Sequence, residues 1–193
     1  VAMAGTAAQT FENVDPINNL TISNTTTVTL TQPFTISGLF TISSGAGTIS
    51  VAESLTLSST TNVLTIPASA TLEVQSGATL TAMGGITVNG ILKINAGGKV
   101  VLGNGETLQV ASGGLLQLAG SSGNIAAIDA DQGASTYAVN IVGSLNANNF
   151  SISRTTAPGI NVTGNVQALT NGDFHYIAGS GYAVTVNSAN NLP

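Results

Sequence analysis

The residues able to do chemistry in this chain are few and scattered. His175 is the sole histidine in 193 residues, and there is no cysteine. Eight acids (Glu12, Asp15, Glu53, Glu73, Glu106, Asp129, Asp131 and Asp173) stand against three bases, Lys93, Lys99 and Arg154. Cleaving a polysaccharide needs carboxylates gathered with a base, or two acids set across the sugar bond. Nothing in the linear order gathers these. His175 alternates with aromatics in Phe174-His175-Tyr176-Ile177 and reads as a strand residue, not as an acid, base or ligand. The expectation is a protein with no catalytic residue and no cofactor.

Three weaker constellations remain. Asp129-Ala130-Asp131-Gln132-Gly133 puts two carboxylates one residue apart, so Asp129 and Asp131 are the candidate Ca²⁺ ligands. The pattern lacks the further oxygens and closing Glu of an EF-hand, and a polar loop with Asx turns accounts for it. Tyr137, Tyr176 and Tyr182 are the candidate glycan platform, with Phe150 and Phe174 nearby in sequence. Aromatics in a C-terminal half are equally ordinary for a core or a capping coil. Thr25-Thr26-Thr27-Val28-Thr29-Leu30-Thr31 sends Thr27, Thr29 and Thr31 to one side of a strand, the start of a hydroxyl array such as ice-binding solenoids carry. Thr-x-Thr recurs only at Thr79-Leu80-Thr81, so the array is not sustained. Asn-x-Ser/Thr sequons at Asn19, Asn24, Asn149 and Asn161 are what chance gives in so Asn-, Ser- and Thr-rich a chain.

Composition sets the partners. Net charge is −5 and charged residues are 6% of the chain. Three dispersed bases cannot supply the field that phosphate recognition needs, so nucleic acid is excluded as a partner. Anionic membrane surfaces are disfavoured for the same reason. No apolar run reaches the length of a membrane-spanning helix, and no basic-then-apolar signal segment is visible. The chain opens on the small, apolar stretch Val1-Ala2-Met3-Ala4-Gly5-Thr6-Ala7-Ala8, which fits either a processing site or a first extended segment. Hydrophobic residues at 42% provide a core, while Thr, Ser, Asn and Gly must build the surface. That mixture belongs to strands and tight turns, not to disorder.

The elements that position these residues are short strands. Leu72, Val74, Ile86, Val88, Leu92, Ile94, Val100, Leu102, Leu108, Val110, Leu116 and Leu118 alternate with polar neighbours, the period-2 signature of half-buried strands. Glu73, Thr87, Lys93, Gln109 and Gln117 fall on the opposite, solvent face. Gly84-Gly85, Asn89-Gly90, Gly97-Gly98 and Gly113-Gly114 punctuate the runs, supplying residues that turn corners without strain. Every third strand recurs at about 22 residues, with Ile66, Val88 and Val110 equivalent and Leu80 matched to Leu102. Three strands per period predict an all-β, right-handed parallel β-helix (β-solenoid) with roughly triangular coils; an antiparallel sandwich, whose strands run nearer five or six residues, is the rival. Right-handedness follows the general rule for parallel crossovers. No helix is expected, since Gly, Thr, Ser, Val and Ile dominate.

The stretch Ile86-Thr87-Val88-Asn89-Gly90-Ile91-Leu92-Lys93-Ile94, with Gly97-Gly98-Lys99-Val100-Val101-Leu102-Gly103-Asn104-Gly105 and Leu108 to Leu118 after it, resembles the parallel β-helix regions of bacterial secreted surface proteins: adhesins, autotransporter passengers and cell-surface fibres. The likeness covers residues 20–190 and is one of repeat style. It implies secretion to the extracellular cell surface and carries no site residue across. The expected organisation is one solenoid domain over 1–193. Residues 1–20 form an extended or capping segment, 21–118 regular coils and 119–193 looser coils, with loops at 120–123 and 129–135. A solenoid with no capping helix at either end exposes strand edges. The expected partner is therefore another copy of the chain, joined end to end or by strand swapping, into a fibre or layer. The competing expectation is a polysaccharide-binding module of a larger surface protein.

Overall fold

The computed structural model describes residues 1–179 and 182–186. They form a parallel β-solenoid of about eight coils, with no helix among the described residues. The first coil holds β1 (Ala2–Met3), β2 (Gln9–Phe11) and a single bridge at Ile17. The second holds β3 (Leu20–Ile22), β4 (Thr27–Leu30) and β5 (Phe34–Ile36), and the third β6 (Phe40–Ile42), β7 (Thr48–Val51) and β8 (Leu55–Leu57). The fourth is β9 (Leu64–Ile66), β10 (Thr71–Val74) and β11 (Thr79–Ala82); the fifth is β12 (Ile86–Val88), β13 (Ile91–Asn95) and β14 (Lys99–Leu102). The sixth is β15 (Thr107–Val110), β16 (Leu115–Ala119) and β17 (Ala126–Ala130). In the seventh, β18 (Tyr137–Ile141) is followed by β19 (Ser144–Ser153), which is long enough to turn the corner and serve two faces. The eighth repeats this with β20 (Thr155–Val162) and β21 (Asn165–His175), and β22 (Val184–Val186) begins a ninth.

Three faces result. Face A stacks β2, β4, β7, β10, β13 and β16 onto the first halves of β19 and β21. Face B stacks β5, β8, β11, β14 and β17 onto their second halves. Face C runs β1-β3-β6 and then, as a separate ladder, β9-β12-β15-β18-β20-β22. On face C, Ile66 opposes Val88 and Val88 opposes Val110, the expected spacing of 22. Leu80, however, opposes Val100, and Leu102 opposes Ala82. The offset there is 20, because the corner between β12 and β13 is only two residues long.

Alternation builds the core. All twelve residues turned inward by the sequence pattern, from Leu72 to Leu118, are fully buried, each burial stabilising by about 1.5–3 kcal/mol. The middle of the core is aliphatic, whereas aromatic pairs sit towards the ends: Phe11 with Phe34 at 5.2 Å and Phe150 with Phe174 at 5.4 Å between ring centroids. Small residues make the corner from face C to face A. Gly47, Ala70, Gly90, Gly114, Gly143 and Gly164 stand one above another by register. A Cβ on Gly143 would strike the carbonyl of Gly114, and one on Gly164 that of Gly143, so coils at the strand spacing of about 4.8 Å leave no room for one.

The C-terminal coils carry the longest strands, eight to eleven residues in β19, β20 and β21. Irregularity there includes the corners at 120–125 and 131–136 and the register shifts in β18–β20 and β19–β21. The loop expected from residue 129 starts at 131 instead, because Asp129 and Ala130 pair with Val101 and Leu102 inside the face B ladder.

Candidate functional site

Lys99, Asp129, Asp173 and His175 lie on the outer side of face B between the fifth and eighth coils, while Glu73 and Lys93 pair at 2.8 Å on face A. Stacking places Asp129, Ser153 and His175 in one outward row, and Lys99, Ala127, Ser151 and Asp173 in the next. Asp129 is the hub. Its Oδ1 accepts from Ser153 Oγ (2.6 Å), Arg154 Nε (2.8 Å) and the Ala130 amide (2.9 Å). Its Oδ2 faces Lys99 Nζ at 3.0 Å and an Arg154 guanidinium nitrogen at 2.7 Å. Arg154 also donates to the Ala130 carbonyl. Burial alone would raise the Asp129 carboxyl; hydrogen bonds from Ser153, Lys99, Arg154 and the Ala130 amide outweigh it and hold it below its ordinary value. One carboxylate thereby ties the fifth, sixth and seventh coils together.

Asp131, the other candidate Ca²⁺ ligand, is exposed at the start of the 131–136 corner. Both Asp129 oxygens are held by protein donors, with Asp129 inside the face B ladder and Asp131 outside it. Among the described residues no three His, Cys, Asp or Glu side chains gather as a metal site would require. Beyond the hub, His175 Nε2 lies 2.7 Å from Asp173 Oδ2, both side chains at least half exposed.

The tyrosines separate. Tyr137 is fully buried, which removes it from any glycan platform. Its hydroxyl has no hydrogen-bond partner, and burial pushes its pKa well above the usual value. Strand alternation allowed either face for Tyr137, and the ring is taken inside with Val139 and Ile141 of the same strand. Tyr176 and Tyr182 are exposed, at 82% and 77%.

Hydroxyl rows extend further than the sequence pattern showed. Thr27, Thr48 and Thr71 align on face A, beside a second row of Thr10, Thr29 and Ser50. Ile91 ends the first row and Glu73 the second. The row-mates lie 19 to 23 residues apart and include a serine, so a search for Thr-x-Thr passes over them. Of the sequons, Asn24 is buried, its amide spent on Ala7, Gln9 and Thr26.

A different feature sits on face C. The β6 and β9 ladders are not joined, and a cleft of about 240 Å³ opens between them, lined by Leu39, Phe40, Thr41, Ile42, Val63 and Thr65. Leu39 and Val63 are about half exposed at its lips. Parallel pairing sends alternate peptide groups to opposite sides. The amide of Ser43 and the carbonyl of Leu39 bond back to β3, so Phe40 and Ile42 direct theirs into the cleft.

No family model, curated protein or solved structure matches the chain. Its function must therefore be argued from these features alone.

Proposed function

We propose that this chain is a structural, non-catalytic β-solenoid that associates with copies of itself into an extracellular, cell-surface fibre or layer. The observation that carries this is the outer edge of the first coil. There, among the described residues, β1 and β2 pair on one side only, with β3 and β4. Met3, Phe11 and Ile17 sit over the end of the core only part-buried. Since Phe11 bonds towards β4, the N–H of Thr10 points to the free side. Such an edge templates a further parallel strand, and the apolar end beneath it gains by being covered. A head-to-tail contact of this kind does not close, so it yields filaments. The near-uncharged surface and absence of cysteine suit a secreted polymer held by backbone pairing.

Electron microscopy and sedimentation of the purified chain test this. The expected result is polymers whose formation is lost in Thr10→Pro, which removes the outward donor. Monodisperse monomers at high concentration would overturn it. The exposure of Tyr176 and Tyr182 favours a second reading, a glycan-binding, adhesive module of a larger surface protein.

A further inference from the structure

We infer that Tyr176, His175 and Asp173 form a binding shelf for neutral saccharide, which rests on the second of the readings above and gives it a site. Three observations meet here. First, Tyr176 presents an aromatic ring at 82% exposure from a backbone at φ +50, a region that non-glycine residues seldom occupy and that is frequently strained for function. The residues on either side are anchored: the His175 carbonyl accepts from the Arg154 amide at 2.9 Å, and the Ala178 amide donates to the Thr155 carbonyl at 2.8 Å. The ring thus projects from a fixed base, not from a free loop.

Second, the neighbouring polar groups are fixed by the ladder. Asp173 lies opposite Ser151 and His175 opposite Ser153. The two side chains hold each other at 2.7 Å, and the imidazole lies 6.1 Å from the Tyr176 ring, tilted by 35°. Third, the hydrogen-bonding sense is one-sided. With His175 Nε2–H donating to Asp173 Oδ2, Nδ1 is left as an acceptor, and Asp173 Oδ1 is a second. An apolar ring face beside two outward acceptors suits a ligand with a C–H face and hydroxyl donors, which is a pyranose. The carboxylate, on a chain of net charge −5, disfavours phosphorylated, sulfated or uronic sugars.

The test is titration of the full chain with cellohexaose, xylohexaose and mannohexaose at millimolar concentration. Tyr176→Ala, Tyr176→Phe and Asp173→Ala are compared with the wild type, and thermal unfolding checks that each variant is folded. Wild type should bind at least one of the three. Tyr176→Ala should weaken binding by about tenfold or more, matching the ~1–3 kcal/mol of a lost aromatic stack, while Tyr176→Phe stays within about threefold. Asp173→Ala should cost about tenfold through its lost acceptor. Wild-type binding undiminished in Tyr176→Ala and Asp173→Ala would overturn this site while leaving a glycan-binding role standing. No wild-type binding to any of the three would remove both.

Discussion

Two corners of this solenoid have the same length and opposite outcomes. Residues 58–63 link β8 to β9, and residues 131–136 link β17 to β18; each is six residues long. Both leave in register, with the Ser58 amide bonded to Ile36 and the Asp131 amide to Leu102 in the coil before. After 131–136 the chain returns to the ladder: Thr136 bonds to Asn104 and Gly105, and Ala138 to Glu106. After 58–63 it does not. The Asn62 side-chain amide on the Gly38 carbonyl and, past β9, the Gly45 amide on Ser69 Oγ tie it to the coil below, and the β6–β9 cleft lies between them. Corner length therefore does not set register. What sets it is whether the returning strand finds an anchor, and the 131–136 corner is flanked by two: the buried ring of Tyr137 and the Asp129 hub.

The larger anchor is Tyr137. Replacing it with Ala empties a ring-sized space at a fully buried position and should cost about 3–5 kcal/mol. Val63→Ala, at the last residue of the 58–63 corner and half exposed, should stay within about 0.5 kcal/mol. Urea unfolding midpoints measure both. Tyr137→Phe should go the other way and stabilise by about 1 kcal/mol, because the hydroxyl it removes is buried without a partner. If Tyr137→Ala and Val63→Ala cost the same, the ring is no anchor.

The Asp129 hub comes next in size. Asp129→Asn should cost about 1–3 kcal/mol, leaving Lys99 and Arg154 charged with no carboxylate between them. The same hub predicts a pH dependence. The folded carboxyl titrates below its ordinary value of 3.8, so its contribution is complete above that value. It is lost as the pH falls through the lower folded value. Wild type and Asp129→Asn should therefore converge in stability as acid is added. A constant difference between them down to the acid unfolding transition would show that Asp129 acts through packing and not through charge.

How much of this was legible in the sequence follows from which forces act locally. Alternation within a strand is local, so the inward set from Leu72 to Leu118 and the period at Ile66, Val88 and Val110 could be read directly. What depends on cross-coil register could not, because the offsets vary from 18 (Tyr137 to Thr155) to 31 (Thr107 to Ala138). The hub escaped for that reason: Lys99, Asp129 and Arg154 are 25 to 30 residues apart in sequence. Asp is poor in strands, and at Asp129 the cross-coil donors override that preference. The Thr27-Thr48-Thr71 row and the small-residue corner column share this property.

The smallest effect lies at the cleft itself. With β6 and β9 unjoined, the Phe40 and Ile42 amides have no ladder partner on their side. They should exchange with solvent much faster than the Val88 and Val110 amides on the unbroken part of face C. Asn62→Ala removes the tie at the entry to the gap and leaves the Gly45–Ser69 bond at its far end. As a part-exposed hydrogen bond it should cost only about 0.5–1 kcal/mol. The effect should fall on exchange at Leu39 to Ile42 and leave residues 137–141 untouched. Spread of the change into the 131–136 corner would mean that the two corners are coupled through the core, and that their different outcomes are not set by local anchors.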